Sequence, residues 1–561
     1  MSQSSGPDPI PTEERPLSSV EDGQRGDPKA DPPKGQTTDN SPATGGAPSR
    51  VFRNAAAQIG GRGLYLLTRV ALPPFILEHI SLQEYGIWAT CFLLIGYIGM
   101  GTFGIAGVYI RYSAEYYARG EMERIGRLVG AGILLTGTVS AALIIALYAC
   151  MPILFRWFHI EPELQGIAGV SILSVIGAML LDLLLPYGYV LQGIHRNAEQ
   201  TIVNVLSFLL ETALIVVFLI KGWGLAGLLA AYVLRSIFAL MVMLAWFPRI
   251  LPGFRIRFRG LGRDEFRLFY RYGGALQLIG VIAMFLNTSE RAIAGYLTKG
   301  VGSVGLLDIG QKFPVMISQI FNAATNTYLS AFTHLHSLDQ HQELQRLYVK
   351  SSRYLNLLNG LAMGFLAPFA LALITAWMGK WIPYEEAGTV LLYAALGFHV
   401  QALTGPATTY AQATHRVGAT LWWFLLPQCL VLAGALAWIL MRGTPTVLHI
   451  AEAAMWSRIT SSVIVLIYTV GQLKLSFLRY VKDVVLVGAL PYGIGYALAY
   501  AIERQLDLTT LPRLHSLGIL ALTGTGYLVL TLGLLIALVS TREERQSLGD
   551  LLTRRLSPRR A

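Results

Sequence analysis

Charge is scarce in this sequence. Only 14% of its 561 residues are Asp, Glu, Lys or Arg, against about 25% in an ordinary soluble domain. Cysteine is scarcer still. Cys91, Cys150 and Cys429 are widely spaced and lie inside apolar runs. That excludes a disulfide framework and zinc-ligand spacing, and leaves them to be read as small packing residues. The chain also lacks a Walker A sequence, a dinucleotide fingerprint and a metalloprotease histidine motif. His334, His336 and His341 stand in an expected loop with no Cys beside them, so no metal centre is assigned. No Ser–His–Asp arrangement stands out, and neither catalytic residues nor a cofactor is expected. Residues 1–50 have no apolar stretch of the kind that makes a signal peptide. Rich in Pro, Gly, Ser, Asp and Thr, they are expected to form a disordered tail, so the first hydrophobic run would remain as a membrane anchor.

What the chain has is apolar length. Hydrophobic residues make up 53% of it and the mean hydropathy is +0.51. A helix needs about 20 residues to cross the hydrocarbon core. Apolar runs of that size lie near 55–77, 85–110, 126–152, 165–192, 200–220, 223–247, 271–297, 303–330, 352–377, 386–412, 418–440, 446–471, 484–503 and 515–539. The expected fold is therefore all-α: a polytopic membrane protein of about fourteen transmembrane helices.

The loops give an independent reading of this register, because cytoplasmic loops are enriched in Lys and Arg. With a cytoplasmic N-terminus, the cytoplasmic segments are 111–125, 193–199, 248–270, 331–351, 413–417, 472–483 and both tails. Segment 248–270 alone holds Arg249, Arg255, Arg257, Arg259, Arg263 and Arg267. The opposite loops hold only scattered bases such as Lys221, Lys299 and Arg442. The net charge of +11 and pI near 9.4 are thus topological, and no nucleic-acid partner is expected. The tail 541–561, with Arg554, Arg555, Arg559 and Arg560, is expected to lie on anionic membrane lipids.

The basic segment 248–270 divides the first twelve runs into two sets of six. The expected organisation is a tail at 1–50, helices 1–6 at 51–247, the linker at 248–270, helices 7–12 at 271–475, two further helices at 476–540 and a second tail at 541–561. A shift of 219 residues pairs Gln58 with Gln277 and Gly86 with Gly305, and brings Arg69 near the image of Arg291. These matches fit two homologous lobes related by an axis along the membrane normal.

Polar residues at membrane depth are costly and mark functional candidates. In the first run Asn54, Gln58, Arg62, Tyr65 and Arg69 form one stripe. Arg62 sits near the cytoplasmic end and can instead snorkel; Arg69 lies deeper. In the eighth run Asp308, Lys312, Gln319, Asn322 and Asn326 share one face. Asp308 and Lys312, at i,i+4, can also neutralise each other. Glu290 and Arg291 are adjacent and so point about 100° apart on a helix: one can face a cavity and the other a neighbouring helix. Asp182, Glu211, Arg235, Glu452 and Arg458 are single charges in apolar surroundings, read mainly as interhelical ion pairs, with Asp182 the best proton or cation site among them.

Glu84-Tyr85-Gly86-Ile87-Trp88, at the start of the second run, resembles a motif of the polysaccharide (O-antigen-type) flippases. Their superfamily includes the lipid II flippases and the multidrug-and-toxin extruders. Gly104-Ile105-Ala106 with Arg111-Tyr112-Ser113-Ala114-Glu115, and Ser289-Glu290-Arg291-Ala292-Ile293-Ala294-Gly295-Tyr296-Leu297, resemble two further stretches of that family. The chain has Glu290-Arg291 where the family more often has Asp-Arg, and Thr102-Phe103 where an Asp usually precedes the glycine. The resemblance spans about residues 51–540. It implies two six-helix bundles working by alternating access in the bacterial inner membrane, with an undecaprenyl-diphosphate-linked glycan as cargo. Glycosyltransferases or a polysaccharide polymerase are the partner proteins such a role implies.

The two polar stripes are expected to face each other across a hydrated space between the lobes. Gln58, Arg62, Arg69, Arg291, Lys312, Gln319, Asn322 and Asn326 are the expected substrate-binding set, and Asp182, Glu290 and Asp308 the coupling-ion candidates. A basic lumen suits a diphosphate, whose oxygens guanidinium groups bind bidentately. The alternative on the same fold is a cation-coupled exporter of cationic drugs, which would want carboxylates without basic partners. A synthase or scaffold is a third reading, disfavoured because no long extramembrane segment is present to hold a catalytic domain.

Overall fold

The computed structural model describes residues 63–65, 68–100, 103–184, 186–194, 196–298, 300–379, 382–414 and 416–538. Its first helix is α1 (68–79). The chain continues through α2 (Leu82–Met100), α3 (Phe103–Ala118), α4 (Met122–Trp157), α5 (Pro162–Leu184), α6 (Tyr187–Gly193), α7 (Asn197–Ile220) and α8 (Gly224–Ile250). Next come α9 (Arg263–Leu297), α10 (Gly302–Asn326), α11 (Tyr328–Ser337), α12 (His341–Leu366), α13 (Ala370–Met378), α14 (Tyr384–Ala402) and α15 (Thr404–Ala413). The last are α16 (Val417–Thr420), α17 (Leu426–Arg442), α18 (Val447–Gln472), α19 (Phe477–Tyr480), α20 (Leu486–Glu503) and α21 (Arg513–Leu538). Single π turns join α16 to α17 and α19 to α20.

The protein is a polytopic all-α membrane protein. Among the described residues nine helices are long and apolar enough to cross a membrane, or ten if α12 and α13, bent by 65°, form one span. Side chains are distributed as a bilayer demands. Ile145, Leu430, Leu522 and Val529 are exposed on the outside, while Ser113, Ser352, Asn359, Arg458 and Ser462 are buried. That inversion is stable only where the surroundings are hydrocarbon. Cys91 and Cys429 fit the packing role read from sequence, but Cys150 is exposed. It lies in the outward-facing part of α4, where periodicity had not separated the lipid-facing side from the core.

Two expected loops are shorter than their composition suggested. Segment 331–351 is helical on both sides of a short turn at Leu338–Gln340. In the basic linker, α8 runs to Ile250 and α9 begins at Arg263. At about 1.5 Å per residue, α4 with its 36 residues is about 54 Å long, well beyond the hydrocarbon thickness. Its first turns meet the linker, where the Arg257 amide donates to the Gly126 carbonyl at 3.1 Å and the Arg257 guanidinium to Glu123 at 2.7 Å. The fifth and sixth runs are separated by a turn in which Gly222 has φ +76° and Gly224 φ +53°, a region that glycine adopts without strain.

α2 packs on α5, α9 and α10, and α7 on α8. α9 is shared. Its first residues meet α3 and α4, through Phe269 against Tyr109 (ring centroids 5.5 Å apart) and Glu265 with Arg127. Its last turns meet α10 and α18, through the ion pairs that Arg291 and Glu290 make there. α2 and α10 cross near their beginnings. A Cβ on Gly86 would stand 2.1 Å from the Val301 carbonyl oxygen, and one on Gly305 3.2 Å from the Gly86 nitrogen. The two residues that a 219-residue shift superimposes therefore touch each other.

A charged cavity between α1, α2, α9 and α10

The stretch Glu84–Trp88 acts residue by residue. Ser81 caps α2: its Oγ accepts from the Glu84 amide at 3.2 Å, and the Glu84 carboxylate accepts from the Ser81 amide at 2.9 Å. This reciprocal box fixes where α2 begins. Tyr85, one position on, points its hydroxyl across to α10 and donates to Asp308 Oδ2 at 3.0 Å. Gly86 allows the backbones to approach, and Ile87 is fully buried. Trp88 lines a cavity of about 270 Å³ together with Tyr85, Arg69, Arg291, Asp308 and Lys312.

Asp308 is the centre of this cavity's charge. Arg291 reaches its Oδ1 at 3.2 Å and Lys312 its Oδ2 at 2.5 Å, while Tyr85 accepts from Lys312 at 3.4 Å. One carboxylate is thus shared by two cations, and the cluster keeps a net charge of +1. Arg69 on α1 has a second arrangement of the same kind. It pairs with Glu211 at 3.6 Å, and Glu211 also faces Arg235 at 3.7 Å. The Arg69 guanidinium lies 5.1 Å from the Tyr65 ring centroid and 5.5 Å from that of Phe92, a cation–π clamp that holds it at the cavity wall. Three cations line the cavity, and Asp308 is the one carboxylate among its described lining residues.

Of the residues singled out from sequence, Arg69, Arg291, Asp308, Lys312 and Gln319 all line this cavity. Asn322 lies further along α10, outside the lining of this cavity, and is exposed. Gln58 and Arg62 lie outside the described residues, as do the side chains of Asp182 and Asn326. Glu290 points away from the cavity and is buried against Arg458 of α18 at 2.5 Å, with the guanidinium over the Phe398 ring at 4.3 Å. Glu211 and Arg235 share their carboxylate with a cavity arginine instead of forming a separate pair, and Glu452 is exposed. The sequence stripes did not include Tyr85, Trp88, Phe92 or Glu211. The conspicuous motif around Gly86 was the available signal for the first two, and the solitary charge of Glu211 for the last.

A family model described as "Polysaccharide biosynthesis protein" matches residues 50–335. The "Uncharacterized membrane protein EpsK" of Bacillus subtilis (strain 168) is 24% identical over 370 residues, covering 62% of this chain and 69% of EpsK. Among solved structures, the lipid II flippase MurJ in an inward closed conformation superposes with a TM-score of 0.63 at 12% identity, over 86% of this chain and 98% of MurJ. An inward-facing multidrug resistance MATE family transporter of the MOP superfamily superposes with a TM-score of 0.59 at 14% identity, over 76% of this chain and 98% of the transporter. These likenesses show a shared fold.

Proposed function

Because this chain belongs to the family of polysaccharide biosynthesis proteins, we propose that it is a flippase. In this reading it moves a polyprenyl-diphosphate-linked oligosaccharide, of the undecaprenyl type, across the bacterial inner membrane by alternating access, with both termini in the cytoplasm and no covalent chemistry. The observation that carries the reading is the cavity's surplus of cations. Arg69, Arg291 and Lys312 converge there, and Asp308, the one carboxylate among the described lining residues, is already shared by two of them. A diphosphate entering between α1 and α10 competes with Asp308 for these cations and gains charge-assisted hydrogen bonds from planar guanidinium forks. The polyprenyl tail stays in the bilayer. Gln319 and Asn322, and with them Gln58, Arg62 and Asn326, extend the polar path in this proposal. Asp308 is the coupling-ion candidate that remains in the cavity, Asp182 is a second, and Glu290 is held by Arg458.

The alternative, an exporter of cationic drugs, needs a carboxylate without basic partners, and the described cavity wall offers none. The test is binding by purified protein in detergent. Undecaprenyl diphosphate should bind, and Arg69→Ala should weaken it at least tenfold while the protein elutes as a folded species. Arg69→Lys, which keeps charge but loses the fork, should fall between. Undiminished binding by Arg69→Ala, or displacement of the lipid by a quaternary-ammonium dye, overturns the reading.

A further inference from the structure

Glu452 takes no part in the charged cavity. It stands five residues after Val447, about 8 Å along α18 from its first residue. It is exposed, inside a span long and apolar enough to cross a membrane, where an uncompensated carboxylate is costly. Among the described residues no cation pairs with it. It lines a cavity of about 650 Å³ between α17 and α18, which the short turn from Gly443 to Thr446 joins. α17 contributes Trp438 and Arg442, and α18 contributes His449, Glu452 and Trp456. Residues three and four apart share a helix face, so each helix presents one stripe to the space, and Ala435 and Ala453 leave room between them. The Arg442 guanidinium lies 4.1 Å from the Trp438 ring centroid. His449 Nδ1 accepts from the Thr446 amide at 3.4 Å, which leaves Nε2 as the donor of the ring.

The polarity of this cavity is layered along the helices. Arg442 and His449 flank the turn, Trp438 and Glu452 lie about one helical turn further in, and Trp456 lies about a turn deeper again. Trp456 also lines a neighbouring cavity of about 470 Å³, walled mainly by aliphatic and aromatic side chains, where Ile459, Val463 and Leu466 continue the same face of α18. From Trp456 to Leu466 the helix runs about 15 Å, half of the about 30 Å hydrocarbon thickness. Charge, then indole, then aliphatic wall is the order of groups in a phospholipid. We propose that the two cavities together hold one membrane phospholipid with an ethanolamine headgroup. Its phosphate lies at Arg442 and His449 Nε2, its ammonium at Glu452, and one acyl chain runs past Trp456 down α18. An anionic lipid satisfies Arg442 but sets its charge beside Glu452. A choline headgroup brings a cation with no N–H to donate. Ethanolamine brings the opposite charge to each residue, and its ammonium donates charge-assisted hydrogen bonds to the carboxylate. The indoles suit the boundary between headgroup and hydrocarbon. This site rests on the membrane fold and not on the flippase reading; under the topology proposed above it lies in the leaflet away from both termini.

The experiment titrates the purified, delipidated full chain with phosphatidylethanolamine, phosphatidylglycerol and phosphatidylcholine of equal chain length, reading bound lipid by native mass spectrometry and the thermal midpoint. Phosphatidylethanolamine should bind about three- to tenfold more tightly than the other two, the scale of a charge-assisted contact at an exposed site, and should raise the midpoint most. Glu452→Gln, which keeps the shape of the side chain, should erase that preference. Arg442→Ala should weaken all three lipids alike. Ala435→Leu fills the cavity without removing a polar group; it should block all three and reports on the site if the other variants fold poorly. Equal binding of the ethanolamine and glycerol lipids by the wild type overturns the site, as does a preference that survives Glu452→Gln. Displacement of phosphatidylethanolamine by equimolar undecaprenyl diphosphate also overturns it, and assigns the groove to the cargo.

Discussion

Glu290 and Arg291 are neighbours in the chain, yet they belong to two kinds of electrostatic structure. Glu290 meets Arg458 in a one-to-one pair whose side chains are 1% and 2% exposed. Arg291 joins Lys312 on a carboxylate that is 14% exposed and opens on a cavity. The first pair has no surplus charge and is almost fully buried, so its role is to join α9 to α18. The second has one cation too many and an opening to face. The difference separates a charge that holds helices together from a charge available to a ligand. Burial alone does not make that distinction, since both lie at membrane depth; stoichiometry and adjoining space do.

The comparison is broken most severely at the sealed pair. Arg458→Met leaves Glu290 buried without its cation and should cost about 3–5 kcal/mol, seen as loss of monodisperse protein on size exclusion in detergent. The double variant Glu290→Met with Arg458→Met should recover most of it. A double variant as unstable as the single one would mean that the pair does more than neutralise itself. At the shared carboxylate the expected effect has the opposite sign for binding. Asp308→Asn should fold, bind undecaprenyl diphosphate about tenfold more tightly, a change of about 1.4 kcal/mol, and transport it more slowly because release is hindered. Weaker binding would show that Asp308 positions the cations more than it competes for them. The smallest effect is expected from Tyr85→Phe, which removes one hydroxyl from the cluster and should change affinity by about 1 kcal/mol with no change in thermal stability. A large stability loss there would assign Tyr85 to the α2–α10 contact rather than to the cavity.

Much of the fold was legible because membrane helices are written as composition. From 85–110 onward each apolar run falls on one helix or a helix pair, and the described helices contain no strand between them. The site was legible only along single helices. Asp308 and Lys312 are one turn apart and could be paired from spacing alone, whereas Tyr85 joins them across 223 positions and Glu290 finds Arg458 across 168. Periodicity says which side chains share a face, but not which face meets which helix. The carboxylate Glu211 was read as a member of an interhelical ion pair, but its partners could not be named for the same reason, since neither of its arginines is on its own helix.

The contact of Gly86 with Gly305 has a mechanical consequence. Two helices that touch backbone to backbone, with no side chain between them, can rock like a fulcrum without shearing interlocked groups. Two bridges between early and late helices are the bond from Tyr85 to Asp308 and that from the Trp377 indole to the Val70 carbonyl at 2.8 Å. Prising the halves apart at that end means breaking these bonds together, which makes it a latch. The latch is fastened partly by Asp308, the same carboxylate that a bound diphosphate would compete with for Arg291 and Lys312. In the flippase proposed above, a diphosphate that loosens the cluster also loosens the latch.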